Sequence, residues 1–307
     1  MTMVAMVALW KTAPAVYVRP TQAKKTFPQI NKVMTMKDSI RARIICRLRR
    51  GFDSLTMKLS RVKLDQIEIS PFIHPVYEGQ HRKISGVELT MRLFDGKHYH
   101  CAKRHIDDIE HQKGADIIND MSVTFLQKSE ELLTGLSKNA PENFFFSFNF
   151  AAEQLYCAQV FGAIISLREK ISSQCRVVIE IKESSLPEYD DDLVDIFERL
   201  RSRGIELSLT DFGKYSSSLL YLEHAGFSSL KIDRTVALTY KGTLVNKNLV
   251  KSIVSATQDL GMVVEAEGVE SEEQCQLLVD CGITQMQGPF FAKPIPLKEF
   301  KVNDYCF

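Results

Sequence analysis

Residues 205–234 read IELSLTDFGKYSSSLLYLEHAGFSSLKIDR. An apolar run ends in Thr210-Asp211-Phe212-Gly213, a helix-like segment follows, and a second short apolar run ends in Lys231-Ile232-Asp233. The pattern predicts a β-α-β unit with a carboxylate at the tip of one strand and a lysine at the tip of the next. In a parallel α/β protein those tips form the functional face.

The same alternation extends in both directions. Apolar runs predict strands near 67–75, 84–93, 144–149, 176–181, 205–211, 228–232, 262–266 and 284–287. Amphipathic segments predict helices near 116–135, 153–168, 190–203, 244–260 and 271–280. Glu78-Gly79-Gln80 is too short a link for a crossover helix, so the first two strands form an antiparallel pair. The later strands are parallel, joined by right-handed helical crossovers. The expected fold is α/β, a TIM-type (β/α)8 barrel with an antiparallel first strand pair over residues 65–307. A basic, partly flexible N-terminal extension over residues 1–64 precedes it.

Composition agrees with one large core. The chain has 307 residues, 45% hydrophobic and 25% charged, enough for a full barrel. The net charge of +1 conceals an asymmetry. Residues 1–63 carry 14 Lys/Arg and 2 acids, a net +12, while residues 64–307 carry a net −11. Within the extension, Asp38–Arg50 has helical spacing, with Ile40, Ile44 and Leu48 on one stripe and Arg41, Arg43, Arg47, Arg49 and Arg50 around it. That arrangement suits a solvated basic helix. It also suits a surface for nucleic acid, an anionic membrane or an acidic partner. The seven cysteines are scattered without a CxxC pair, which fits a reducing cytoplasm. No apolar run is long enough to span a membrane, and the apolar residues 1–10 lack the basic leading region of a signal peptide.

Polar residues interrupt or end nearly every predicted strand. They are Glu88, Asn149, Glu180, Asp211, Lys231, Glu267, Glu270 and Gln287. One such residue alone is usually a satisfied core group or a helix cap, as Glu270 would be for a helix starting near Ser271. Together they put several carboxylates, an amide and an ammonium on one rim. Such a cluster repels itself unless cations enter it, which points to an oxygen-donor site for Mg²⁺ or Mn²⁺. Two ions a few ångströms apart are the usual clamp for phosphodiester hydrolysis. His98, His100, Cys101, His105 and His111 offer a rival soft-ligand zinc site, although their spacing matches no strong zinc signature.

These segments resemble, in order, the motifs of the EAL family of cyclic di-GMP phosphodiesterases and receptors. Glu88-Leu89-Thr90-Met91-Arg92 resembles E-A-L-x-R, Asn149-Phe150-Ala151 resembles N-L-S, and Glu180-Ile181-Lys182-Glu183 resembles E-L-T-E. Lys231-Ile232-Asp233 and Ala266-Glu267-Gly268-Val269-Glu270 match KID and AEGVE, and Gln287-Gly288-Pro289 opens a segment like Q-G-Y-x-F-S-K-P. The resemblance covers about residues 67–300. It implies Glu88, Asn149, Glu180, Asp211 and Glu267 as metal ligands for Mg²⁺ or Mn²⁺. It implies Lys231, Glu267 and Glu270 as the catalytic group. Arg92, Gln287 and Glu88 would hold cyclic di-GMP, and Glu183 would anchor the loop after the DDFG strand.

The departures carry equal information. Thr210 stands where the family places the first aspartate of DDFG, which bridges both ions. A neutral hydroxyl is a poor bridging ligand, so the expected occupancy is one ion or none. Lys214-Tyr215-Ser216 replaces Thr-Gly-Tyr in a loop the family uses for dimer contact, and His74 replaces a common Gln. The resemblance therefore implies a degenerate EAL domain. Such a domain regulates by binding cyclic di-GMP, a protein partner such as a transcription regulator, or both, with homodimerisation open. The alternative is an active phosphodiesterase that opens cyclic di-GMP to pGpG.

Overall fold

The computed structural model describes residues 68–79, 81, 83–102, 105–106, 109, 114–213 and 219–301. The basic extension, its expected helix at 38–50, His111 and the altered loop at 214–216 lie outside the described residues.

The strands are β1 (Glu68–Glu78), β2 (Ile84–Phe94), β3 (Tyr99–Cys101), β4 (Phe145–Phe150), β5 (Arg176–Lys182), β6 (Ile205–Phe212), β7 (Ser229–Ile232), β8 (Thr239–Tyr240), β9 (Thr243–Leu244), β10 (Val263–Ala266), β11 (Gln285–Met286) and β12 (Ile295–Pro296). The helices are α1 (Ala115–Leu136), α2 (Ala158–Lys170), α3 (Asp191–Arg201), α4 (Leu219–His224), α5 (Lys247–Asp259) and α6 (Glu272–Val279). Pairing runs β1-β11-β10-β7-β6-β5-β4-β2 and returns to β1, which closes a TIM-type (β/α)8 barrel. Strand β1 is antiparallel to β2 and β11, and the other pairs around the ring are parallel. The predicted strands and helices fall close to these ranges. The helix expected between β6 and β7 is the short α4, while β3, the β8–β9 hairpin and β12 were not anticipated.

Strand alternation sorts the side chains into two layers. On β4, Phe146, Phe148 and Phe150 are fully or almost fully buried, and the Phe148 ring meets Phe125 of α1 edge-on at 6.1 Å. On β5 and β6 the same parity holds for Val177, Ile179, Ile181, Leu207 and Leu209, all 0% exposed. The opposite parity fills the interior of the ring. Its lower layer is Val76, Phe145 and Val178. Above it the interior turns polar, with Ser147, Glu180, Ser208, Lys231 and Glu265 all buried.

Two helices begin on well-formed caps. The Asp190 carboxylate accepts from the Asp192 and Leu193 N–H groups at the start of α3, and the Ser271 hydroxyl accepts from Gln274 at the start of α6. Ser271 thus performs the capping that Glu270 offered in the sequence. Among the described residues, no helix is long and apolar enough to cross a membrane. Cys101, Cys157, Cys175, Cys275 and Cys281 are free thiols.

Gly86 shows how tightly the lower layer is closed. It pairs with Phe145 across β2 and β4, and a Cβ at Gly86 would lie 2.4 Å from the Phe145 ring. Gly86→Ala is therefore expected to destabilise the barrel by roughly 1–3 kcal/mol through overpacking. Chemical denaturation of the variant beside wild type measures this directly, and an unchanged midpoint would contradict it.

Candidate functional site

The site lies where the polar interior layer meets the C-terminal ends of the parallel strands. Lys231 on β7 is its centre, 1% exposed. Its Nζ donates to Glu180 Oε1 on β5 at 2.8 Å and to Glu88 Oε2 on β2 at 3.4 Å. Glu265 Oε1 on β10 lies 3.1 Å from the same nitrogen. The other Glu88 oxygen accepts from Asn149 Nδ2 on β4 at 2.6 Å. One ammonium thus joins carboxylates from three strands, and an amide from a fourth extends the chain of contacts.

Burial sets the electrostatics. Desolvation opposes the Lys231 charge, but Glu180, Glu265 and Glu88 outweigh it and hold the amine well above its ordinary basicity. Desolvation pushes Glu180 up as well, with Lys231 acting against it. Glu265, buried against the same lysine, is pushed up to about 8. His74 pairs with Glu88 across β1 and β2, and its Nε2 lies 3.2 Å from the Ala292 carbonyl oxygen. Burial lowers its basicity, with the Glu88 carboxylate opposing.

The end of β6 supplies the second group. Thr210 is 0% exposed, and its hydroxyl donates to Glu267 Oε1 at 3.4 Å. Asp211 follows at φ 60°, and Gly213 has φ 98°. The left-handed Asp211 falls where the β6–β7 register shifts between Leu209 and Phe212, and the left-handed Gly213 follows the last residue of the strand. The turn is tied down by Glu183, whose Oε2 accepts from the Gly213 N–H at 3.1 Å.

The remaining residues singled out in the sequence are more scattered. Gln287 is buried and donates from Nε2 to the His74 carbonyl oxygen at 3.1 Å. The Arg92 guanidinium stands over the Phe72 ring, 5.6 Å from its centroid. Glu270 is exposed, and its backbone N–H donates to Gln274 Oε1. The structure thus brings Glu88, Asn149, Glu180 and Lys231 into one network and Thr210 and Glu267 into contact. It places Glu270 at the surface. Of the rival zinc residues, His111 lies outside the described residues, and His100 is engaged with Asp95 at 3.1 Å.

Glu265 is the member that sequence reasoning missed. The run Val263-Val264-Glu265-Ala266-Glu267 holds two glutamates two apart, and a strand's period of two puts both on one face. Beside the cluster, a cavity of about 190 Å³ opens between β2, β4 and α1. It is lined by Glu88, Thr90, Met91, Asn149 and Lys182 among others.

Glu88, Asn149 and Glu180 offer hard oxygen donors of mixed charge on adjoining strands, and these suit one divalent ion. The second position fits poorly, because the residue between Asp211 and that set is the neutral Thr210.

The EAL domain model matches residues 58–294. The chain belongs to the EAL domain family. A probable cyclic di-GMP phosphodiesterase of Escherichia coli K12, PdeN, is 27% identical over 263 residues, covering 83% of this chain and 48% of its own length. The chain spans about half the length, or less, of several curated relatives that it matches. The PaMucR phosphodiesterase, solved as a cyclic di-GMP complex, superposes with a TM-score of 0.64 at 25% identity, over 75% of this chain and 98% of that one. BlrP1 of Klebsiella pneumoniae, solved with manganese and cyclic di-GMP, gives a TM-score of 0.61 at 22% identity, over 75% of this chain and 56% of that one. At 22% identity this likeness is one of fold.

Removing the central ammonium should expose the cost of the buried carboxylates. Lys231→Met is expected to destabilise the EAL barrel by about 3–5 kcal/mol, because it leaves buried acids without their counter-charge. Adding Glu265→Leu should recover part of that loss. Urea unfolding of the single and double variants provides the comparison, and a Lys231→Met barrel as stable as wild type would refute the electrostatic account.

Proposed function

We propose that this chain is a cyclic di-GMP signalling protein whose degenerate EAL barrel acts by binding the dinucleotide, a protein partner, or both, with weak or no hydrolysis. The observation that carries the reading is Thr210, neutral, buried and committed to Glu267 at the tip of β6. In the family, the resemblance places there the aspartate that bridges two ions. Without that carboxylate the second ion loses its shared ligand, and residues 65–307 form a barrel suited to one Mg²⁺ or Mn²⁺ or to none.

On this reading Glu88, Asn149 and Glu180 hold the single ion, with Asp211 and Glu267 left from the second set. A bound ion would supply positive charge toward the phosphodiester. Arg92 and Gln287 border the dinucleotide. Glu183 keeps the turn after β6 in place. Glu270, exposed at the end of its motif, acts on the ligand only at the rim. Thr210 holds Glu267 in place but has no charge to contribute to an attacking water. A protein partner such as a transcription regulator, homodimerisation, a cytoplasmic location and anionic binding by the basic extension complete the proposal.

An active phosphodiesterase is the second reading. It is favoured by the contact network among Glu88, Asn149, Glu180 and Lys231. It is also favoured by the phosphodiesterase names of the relatives.

Incubation of the purified protein with cyclic di-GMP and Mn²⁺ or Mg²⁺, with pGpG followed by chromatography, separates the two. Turnover well below about 1 s⁻¹ is expected, and metal-dependent turnover at or above that rate would overturn the regulator reading. Thr210→Asp is expected to raise hydrolysis by about tenfold or more, since charge-stabilising groups at such positions are commonly worth ~2.7–4 kcal/mol. The substitution also places a second carboxylate against Glu267. The variant should therefore melt lower than wild type without metal and recover when Mn²⁺ is added. Identical melting curves with and without Mn²⁺ would show that no second ion enters.

A further inference from the structure

Lys231 has three N–H donors, and three carboxylates surround it: Glu180 at 2.8 Å, Glu265 at 3.1 Å and Glu88 at 3.4 Å. Glu88 and Glu180 are also the proposed ligands of the single ion. An ion and an ammonium cannot share the same oxygens without repelling each other. Lys231 is 1% exposed, so it has no route to water while an ion is bound. An ammonium left there without a partner would make ion binding costly.

Glu265 offers a way out of this conflict. It pairs with Lys231 in the β7–β10 ladder and belongs to neither proposed ion position. It also lines a polar cavity of about 30 Å³ on the side of the strands' N-terminal ends, together with Glu180, Ser147, Ser208 and Ser229. That space is large enough for one water-sized group. An ammonium moving there keeps a carboxylate and meets serine hydroxyls.

We infer that Glu265 is a positioning residue, which holds the Lys231 ammonium when a divalent ion takes Glu88 and Glu180. The inference rests on the single-ion reading of Glu88, Asn149 and Glu180. Glu265 acts through the lysine and does not touch the ion. It sets how readily the barrel exchanges its internal cation for an external one.

Mn²⁺ titration followed by electron paramagnetic resonance tests this on the full chain, without nucleotide. Wild type should bind one ion. Glu265→Leu should bind it at least about tenfold more weakly, the range seen when groups supporting metal ligands are removed. Glu265→Gln, which keeps the volume and an oxygen acceptor, should fall between them. Lys231→Met/Glu265→Leu should bind as tightly as wild type or tighter, because no ammonium competes. That recovery is the outcome a merely structural role for Glu265 would not produce. Should Glu265→Leu fail to fold, Glu265→Gln with and without Lys231→Met carries the same comparison. Wild-type affinity in both single variants, or no recovery in the double variant, would overturn the inference. Failure of wild type to bind Mn²⁺ would overturn the single-ion reading and the inference with it.

Discussion

A buried ammonium is tolerable only when carboxylates meet it, and that requirement organises this barrel. Lys231 draws Glu88 from β2, Glu180 from β5 and Glu265 from β10 to one point inside the ring. Each of those strands is held in register by the contact. A slip of one residue in any of them would turn its glutamate toward the apolar outer layer and bring a branched aliphatic side chain inward. The ion cluster and the in–out alternation are thus one constraint seen at two scales. The serines of the interior layer belong to it too, since they give a charged centre neighbours that can hydrogen-bond.

The parallel strands were legible in the sequence because each is an apolar run of strand length with a polar terminus, separated by amphipathic helices. The antiparallel start was legible from the brevity of the Glu78–Gln80 link. The small elements were not. Strands such as β8 and β9 have two residues each, too few to show any period, and Tyr240 of β8 is largely exposed. Within the site, motif order brought forward Glu88, Asn149, Glu180 and Lys231, side chains that the structure places in contact. Glu265 escaped because it sits one place before the AEGVE motif, where strand parity rather than motif identity carries the signal. Glu270 shows the converse. It completes a motif, yet it follows the end of β10, so no strand period directs it inward.

Thr210 changes the charge balance of the rim more than its shape. It fills its buried position fully and still makes a polar contact, so the fold has no reason to reject it. A hydroxyl 3.4 Å from Glu267 gives a weak hydrogen bond and no charge. The tip of β6 is therefore one carboxylate poorer than the family motif. The turn beyond it keeps its left-handed Asp211 and Gly213 and its tether to Glu183.

The reversed direction of β1 has a consequence for how the chain approaches this rim. In a barrel of uniformly parallel strands the polypeptide arrives at the end opposite the functional face. Here Glu68, the first residue of β1, pairs with Phe94, the last of β2. Strand β1 therefore begins on the rim side and runs downward past Phe72 and His74, the neighbours of Arg92 and Glu88. A pull, twist or docking event transmitted along the backbone at residue 68 reaches those side chains within a few residues of a single strand.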